Sequence, residues 1–205
     1  MPHVLSPPSI LPTSGFEVSV HSMPRLLNET ARAVFVNSLS DAGAAAGATL
    51  LAVPTWQPSE LDLTVYPSEA VSVERDRLLI RLRALAAALA ANLAAKGEWA
   101  DASCPLSGYA LLGARGGITW NELEGLNQLL RYDHEPAGCC GIVLHPSWGK
   151  GAYPATLFTT ASAEQVLAAL AEVDGQFVEP AAAAAAAAVA VGDKPAPVQG
   201  SDTCA

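Results

Sequence analysis

The chain has few basic residues, and this deficit limits what it can bind. Its 205 residues include 11 Lys and Arg against 20 Asp and Glu, which gives a formal net charge of −9. Nucleic acids and anionic membrane surfaces are recognised through clusters of basic side chains. The sequence therefore argues against both kinds of partner. No uninterrupted apolar run outside the alanine-rich segments reaches the length of a membrane span either.

Cysteine is also scarce, with four residues at positions 104, 139, 140 and 204. Residues 139 and 140 cannot easily form a disulfide with each other, because the Cα atoms of sequence neighbours lie too close together. A chain of this size can bury a core of its own without disulfides. We therefore expect free thiols in a reducing compartment.

Targeting signals and catalytic signatures are missing as well. Residues 1–15 lack Lys, Arg and an apolar stretch, so they predict neither a secretory signal nor a mitochondrial leader. The expected location is cytoplasmic, with a mitochondrial pool left open. No Ser-His-Asp order, HExxH motif or carboxylate pair indicates catalysis. The glycine-rich run at 113–117 lacks the Lys-Ser/Thr of a phosphate-binding loop, so it predicts a turn.

The hydrophobic pattern predicts strands intermixed with helices. Alternation and short apolar runs predict strands, at 16–20, 49–53, 61–66, 108–114, 142–145 and 156–160. Helical spacing and end signals predict helices, at 24–38, 70–96, 119–131 and 162–173. The end signals include two capping boxes, Thr119 with Glu122 and Ser162 with Gln165. Residues 54–59 are expected to turn the chain back. Because several strands look hairpin-linked, the predicted fold class is α+β, with a layered sheet and helices.

Composition divides the chain into three parts. Residues 1–15 are rich in Pro and Ser, and we expect a flexible N-terminal segment there. Residues 16–175 form the predicted α+β domain. Residues 176–205 contain eight consecutive alanines followed by Gly, Asp, Lys and Pro. Such a segment has no apolar face to bury, so we expect a low-complexity, disordered Ala/Pro tail.

The chain's most reactive side chains gather between Gly138 and Gly149. Cys139 and Cys140 read equally well as a reactive or ligating thiol and as a pair of small buried hydrophobic residues. His145 could raise the thiolate fraction or bind a metal, although a hydrogen-bonded structural histidine is commoner. Trp148 is most simply a core or interface residue. A zinc site would need Cys104 as a ligand in addition to Cys139, Cys140 and His145. No CxxC spacing supports such a site.

The same segment resembles the CblD family, the methylmalonic aciduria and homocystinuria type D family. Gly138-Cys139-Cys140 is followed by a short apolar strand, then His145, then Trp148-Gly149. Other matching segments occur in the same order, at 71–75, 97–101, 108–113 and 157–161. The resemblance runs from about residue 16 to about residue 173. The chain departs from the pattern at Leu144 and Pro146, where Arg and Ser are expected, so no polar role is assigned to these two positions.

The resemblance implies a nitroreductase-like fold that has lost its flavin and a non-enzymatic adaptor in intracellular cobalamin (vitamin B12) trafficking. In that family the first cysteine of the pair coordinates cob(II)alamin held by the processing protein CblC. The implied cobalt ligand is therefore Cys139, with Cys140 as its buried neighbour and His145 and Trp148 in support. Cobalamin is shared with the partner, and no cofactor is expected on the isolated chain. The implied clients are methionine synthase and methylmalonyl-CoA mutase. The competing hypothesis is a thiol redox or flavin-dependent reductase of nitroreductase type.

Overall fold

The computed structural model describes residues 3–43, 48–137 and 140–181. Seven strands lie in these ranges: β1 (His3–Ile10), β2 (Glu17–Ser22), β3 (Leu51–Pro58), β4 (Ala100–Ala102), β5 (His134–Ala137), β6 (Cys140–Val143) and β7 (Ala152–Thr159). Five helices accompany them: α1 (Arg25–Val34), α2 (Val36–Asp41), α3 (Glu69–Ala94), α4 (Glu122–Leu130) and α5 (Ala163–Gly175).

Five strands form one sheet in the order β1-β2-β3-β7-β4, and every neighbouring pair is antiparallel. The strands β5 and β6 form a separate antiparallel hairpin. Antiparallel strands interleaved with helices make this a single α+β domain, which confirms the predicted fold class at that level.

Helices cover both faces of the five-stranded sheet, since alternate strand residues point to opposite faces. On one face, α3 and α5 bury a leucine-rich core against residues such as Val53 and Leu157. On the other face, α1 and α2 pack around the neighbouring residues Ala52 and Phe158. The sheet is therefore the middle of three layers.

The long helix α3 follows from local signals in its sequence. Its N-cap is Ser68, whose side chain accepts a hydrogen bond from the Val71 backbone N–H, and Glu69 lies in the first turn. Its buried side chains recur at helical spacing, at positions 71, 78, 82, 85, 86, 89 and 93. Gly97 has a φ of +81°, a conformation that favours glycine after a helix end. The predicted helix over 70–96 is confirmed within two residues.

The prediction of a turn at 54–59 is wrong, because β3 continues to Pro58 and pairs with β7 along its whole length. A proline usually indicates that a segment is not a central strand. Pro54 is tolerated because the β2–β3 pairing stops at Val18–Thr55 and resumes at His21–Ala52. Its missing N–H therefore falls where the ladder is already interrupted.

Residues 61–66, predicted as a strand, form turns instead. The Leu63 N–H donates to the Lys150 carbonyl, and the Thr64 N–H donates to the Asp62 carboxylate at 2.8 Å. Arg75 donates to the Leu63 carbonyl. Side chains and a loop thus use the backbone groups that a neighbouring strand would need.

The strand prediction at 108–114 is also wrong, since only Ala110 forms an isolated bridge there. The Leu112 and Gly113 N–H groups donate to the buried Asp101 carboxylate, at 2.9 and 3.0 Å. This side chain replaces a neighbouring strand as the acceptor of those bonds.

The N-terminal segment was expected to be flexible, but residues 3–10 form the edge strand β1. This strand pairs with β2 from His3–Ser22 to Ile10–Glu17. Its register shifts between Ser6 and Ser9, and the two prolines at 7 and 8 lie in that irregular stretch. Edge strands and bulges tolerate prolines because no ladder bond is required there.

The beginning of the predicted tail contacts the domain. Phe177 packs edge-on against Phe16, with ring centroids 5.9 Å apart. The Arg81 guanidinium lies 5.1 Å from the Phe16 ring centroid and 5.9 Å from that of Phe177. Arg81 also pairs with Glu179 at 2.8 Å. These contacts extend the packed domain past residue 175, while residues 182–205 lie outside the described part of the chain.

Candidate functional site

The predicted thiol segment belongs to the β5–β6 hairpin. The last pair of this hairpin joins Ala137 to Cys140, so Gly138 and Cys139 are the two residues that connect the strands. Both lie outside the described residues, as does the side chain of Cys140. The backbone of Cys140 begins β6. The roles predicted for the two thiols therefore stay predictions.

The hairpin lies directly on α4. A Cβ added to Gly141 would stand 2.6 Å from Cδ2 of Leu123, so glycine at this position permits the close approach of β6 to the helix. Val143, two residues further along β6, is buried with Trp56 and Leu126. These contacts fix the base of the hairpin on the domain.

His145 follows the hairpin and is 3% exposed. Its Nδ1 accepts hydrogen bonds from the Ser147 and Trp148 backbone N–H groups, each at 3.2 Å. Its Nε2 lies 2.9 Å from Oε1 of Glu17. Since Nδ1 accepts, the ring proton resides on Nε2 and is donated to Glu17. Both ring nitrogens are occupied, so the structure supports the hydrogen-bonded structural histidine over the metal ligand or base.

Trp148 stacks on His145, with ring centroids 4.2 Å apart and an angle of 16° between the rings. Trp56 and Tyr132 contact the other sides of the imidazole, at centroid distances of 5.1 and 5.7 Å. The predicted role of Trp148 as an aromatic packing residue matches this position. The aromatic group holds the chain at the end of the hairpin in one geometry.

A cavity of about 420 Å³ lies beside the hairpin. Most of its wall is apolar and comes from the loops before α3 and α4, from α4, and from β6 and β7: Leu63, Pro105, Leu106, Leu123, Leu126, Ile142, Val143, Ala152 and Pro154. Gly141 and Ile142 connect this wall to the thiol segment, because they follow Cys140 directly in β6.

Glu122 is the acidic group of this cavity. It accepts hydrogen bonds from the Ser103 hydroxyl, at 2.7 Å, and from the Thr156 hydroxyl. Burial raises the pKa of the Glu122 carboxyl to about 7, although both hydroxyl bonds oppose the shift. A carboxyl group in this position can hold or release a proton near neutral pH.

The predicted capping box of Thr119 with Glu122 is wrong. The N-cap of α4 is Asn121, whose side chain accepts from the Glu124 N–H at 3.2 Å. Asn is among the preferred N-cap residues, and acidic residues favour the first turn of a helix. Asn121, followed by Glu122 and Glu124, therefore indicates the start of α4 in the sequence. The side chain of Glu122 is thereby free to turn toward the sheet.

Tyr153 also lines the cavity, and it lies on the face of β7 opposite to that of Thr156. It is 5% exposed, and its hydroxyl has no hydrogen-bond partner within the described ranges. Burial and then the nearby Cys104 thiol raise the pKa of Tyr153, so the phenol remains protonated. Sequence reasoning missed this residue because nothing in its local pattern distinguishes it from a core tyrosine.

The cationic groups of the cavity already have partners. Arg75 donates to the Leu63 carbonyl, and Lys150 pairs with Glu135 of β5 at 2.8 Å. Within residues 3–43, 48–137 and 140–181, no group of three His, Cys, Asp or Glu side chains could hold a metal ion. Cys104 is a half-buried free thiol. Of the other thiols in the zinc alternative, residue Cys139 and the side chain of Cys140 lie outside the described part of the structure.

None of the helices in the described part of the chain combines the length and the hydrophobicity that crossing a bilayer requires.

Comparisons with known proteins confirm the family resemblance that the sequence indicates. Residues 6–171 match the family model of the methylmalonic aciduria and homocystinuria type D protein. The mouse protein named cobalamin trafficking protein CblD is 30% identical over 148 residues, which are 72% of this chain and 47% of the mouse protein. The human protein of the same name is 29% identical over 146 residues, 71% of this chain and 47% of that protein.

The chain therefore spans about half the length of the curated relatives it matches. The family match begins inside β1 and ends inside α5, so it covers the five-stranded sheet, the hairpin and the cavity. On the strength of that coverage, the chain belongs to the methylmalonic aciduria and homocystinuria type D protein family.

Proposed function

We propose that this protein is a non-enzymatic adaptor in intracellular cobalamin trafficking. The proposal rests on the family match and on the name of its mouse and human relatives, cobalamin trafficking protein CblD. The observation that carries it is the place of Cys139, one of two residues that connect β5 to β6. The side chains of His134, Glu135 and Pro136 in β5 are exposed, so a partner can reach this side of the hairpin.

In this proposal the Cys139 thiol loses its proton to solvent and the thiolate coordinates the cobalt of cob(II)alamin. The cobalamin is held by a CblC-type processing protein, so the ligand acts across an interface. A thiolate is a soft ligand that suits such a transition metal. Cys140 is the buried neighbour in this assignment, because successive strand residues point to opposite faces.

The surrounding residues support the hairpin rather than take part in ligation. Gly141 lets β6 rest on Leu123 of α4, and Val143 is buried beneath it. His145, bound to Glu17 and stacked on Trp148, fixes the chain where it leaves the hairpin. A rigid base of this kind reduces the conformational entropy lost when the thiol meets its partner.

The adaptor would direct cobalamin to methionine synthase, to methylmalonyl-CoA mutase, or to both. It would act in the cytoplasm, with a mitochondrial pool for the mutase. We also propose that the sheet and its two helical layers derive from a nitroreductase-type scaffold without flavin. The alternative function is a thiol redox enzyme or flavin-dependent reductase. A purified flavoprotein is yellow, whereas the adaptor should be colourless until CblC and cob(II)alamin are added.

Two cysteine variants test the proposal. Cys139→Ser replaces a soft ligand with a hard, neutral hydroxyl of similar size, so it should abolish the cobalt–thiolate signal and leave the melting curve nearly unchanged. Cys140→Ser places a hydroxyl where we expect a buried thiol, which should cost roughly 1–3 kcal/mol of stability while the signal is kept. Electron paramagnetic resonance in the presence of CblC and cob(II)alamin provides the measurement.

The outcomes separate the assignments. If Cys140→Ser loses the signal and Cys139→Ser keeps it, the two roles are reversed. If neither variant changes it, the protein does not use a thiol ligand. Tight binding of flavin or free cobalamin by the isolated chain would favour the enzyme alternative.

A further inference from the structure

The outer edge of β6, the side turned away from β5, has no neighbouring strand in the described part of the chain. The Leu144 N–H donates to the Asp133 carbonyl, so these two opposite residues form a hydrogen-bonded pair. Bonded and non-bonded pairs alternate along an antiparallel ladder, so Gly141 and Val143 turn their N–H and C=O groups outward. Pro136, the residue opposite Gly141, has no N–H to donate, which agrees with this alternation.

The cavity beside the hairpin lies along this outer edge. Gly141, Ile142 and Val143 line it, whereas residues 134–136 of β5 do not. Among the described residues, no hydrogen bond reaches the outward N–H and C=O groups of Gly141 and Val143. Val143 is 8% exposed, and backbone groups withdrawn from water are almost always paired. The main chain of a bound segment would complete this hydrogen bonding.

The rest of the cavity wall suits the side chains of an added strand. Leucine side chains contribute much of it, at positions 63, 106, 123 and 126. Successive side chains of a strand point to opposite faces, so every second one can pack against these leucines while the main chain bonds to β6. Glu122 is the acidic group of the wall and disfavours Asp or Glu at those positions. The matching ligand is an extended segment with apolar residues at alternate positions.

The opposite edge of the hairpin is less suited to strand addition. His134 and Pro136 turn outward on β5 by the same alternation, and Pro136 supplies no N–H donor. Proline on an edge strand obstructs pairing with a further strand. An added strand therefore has its full set of donors and acceptors on β6 alone.

We propose that the outer edge of β6 binds an extended apolar segment of a partner protein by strand addition. Resting on the proposed function, the partner is the CblC-type protein that presents cobalamin to Cys139. Gly141 follows Cys139 by two residues, so their Cα atoms lie within about 7 Å of each other. A partner that places cobalt on this thiol therefore also reaches the β6 edge. The added strand fixes the orientation of the hairpin relative to the bound cobalamin.

Hydrogen exchange resolved at single amides tests the edge in the unmodified protein. In the isolated chain, the outward N–H groups of Gly141 and Val143 should exchange faster than that of Ile142, which belongs to a bonded pair. With a CblC-type protein loaded with cob(II)alamin, the two outward amides should exchange at least about tenfold more slowly. The His134 amide, outward on β5, is the control and should not change.

Two variants at one position test the same bond. Val143→Pro removes the outward N–H and takes no bond from β5, as Pro136 already shows on the opposite strand. Its association with the loaded CblC-type protein, measured by calorimetric titration, should be about tenfold weaker than that of the parent. Val143→Ala also loses part of the side chain but keeps the N–H, so it should bind within about twofold of the parent. Melting curves show whether both variants are folded, and hydrogen exchange decides if Val143→Pro is not.

The outcomes separate strand addition from the adaptor function. If the cobalt–thiolate signal forms while the amides of Gly141 and Val143 stay unprotected, strand addition is wrong and the adaptor function stands. Equal affinities of Val143→Pro and Val143→Ala lead to the same conclusion. If both amides become protected and the signal never forms, the docking surface stands and the thiol ligation is wrong. Protection of His134 instead would place the added strand on β5 and overturn the proposal.

Other occupants of the edge give results of their own. Slow exchange of Gly141 and Val143 in the isolated protein, independent of concentration, would mean that the chain covers this edge itself. Protection that rises with protein concentration would mean that a second copy binds there. Either result overturns the proposal.

Discussion

Glu122 makes the stability of this protein depend on pH, and Glu122→Gln should remove that dependence. The carboxyl group lies between the Ser103 and Thr156 hydroxyls, and both of these residues are fully buried. Burial raises its pKa from 4.5 to about 7. Glutamine has nearly the same shape, carries no charge at any pH, and can hydrogen-bond to both hydroxyls.

The sign and size of this change in the free energy of unfolding with pH follow from proton binding to Glu122. Between pH 4.5 and about 7 the folded protein holds the Glu122 proton while the unfolded chain has released it. The free energy of unfolding therefore falls as pH rises through this window. The full stabilisation is present below pH 4.5 and is lost above about pH 7. At 1.36 kcal/mol for each pH unit, the shift corresponds to roughly 3 kcal/mol as an upper value.

Other groups also titrate in this window, so the two proteins must be compared at each pH. Burial lowers the pKa of His21, which therefore makes folding less favourable as pH falls through 6.5. This effect has the opposite sign and can mask Glu122 in the unmodified chain. It is identical in Glu122→Gln and cancels in the difference between the two stability curves.

Urea denaturation at pH 5, 6, 7 and 8 provides the measurement. We expect the two proteins to differ little near pH 5 and Glu122→Gln to be the more stable by up to about 3 kcal/mol at pH 8. Parallel curves across this range would show that Glu122 is ionised throughout, and the reasoning from burial would be refuted.

Two further substitutions test the packing at the C-terminal end and beneath α4. Phe177→Ala removes the half-buried ring beside Phe16 and should cost about 1–2 kcal/mol in urea denaturation. Val178→Ala, at a side chain that is 82% exposed, should change stability by less than about 0.5 kcal/mol, and equal effects would contradict the docking. Gly125→Ala would place a Cβ 2.2 Å from Cζ2 of the Trp120 indole, so it should destabilise by about 1–3 kcal/mol despite the better helix propensity of alanine. Gly117→Ala meets nothing within 4 Å and is its control; a stabilised Gly125→Ala variant would mean that the indole can move aside.

The helices could be predicted from the sequence because their signals are local. In α5 the predicted capping box is present, with Ser162 accepting from the Gln165 N–H and Gln165 bonding back to Ser162. The strands were harder to predict, because a strand needs a partner elsewhere in the chain. Residues 61–66 alternate as a strand should, yet their backbone groups bond to Lys150, Arg75 and a local side chain. Alternation alone does not show whether a partner exists.

The candidate site shows the same difference between local features, which the sequence reveals, and long-range features, which it does not. His145 and Trp148 stand three residues apart in the sequence and stack on each other in the structure. The roles of the two thiols nearby stay predictions. The cavity that Glu122 and Tyr153 line could not be predicted, because it is assembled from segments distant in sequence. The partners of Glu122 are 19 and 34 residues away, and nothing in the local pattern connects them.

The long interval between β3 and β7 has a consequence for synthesis on the ribosome. β1, β2 and β3 are consecutive and can pair as soon as residue 58 has emerged, but β7, the other neighbour of β3, begins only at Ala152. At ~5–20 residues per second, β3 stays unpaired on one side for roughly 5–20 s. During that time its Leu-Ala-Val-Pro-Thr-Trp segment is a nascent sheet edge to which other chains could add. Pro54 gives no protection at this edge, because its missing N–H lies on the β2 side of the strand.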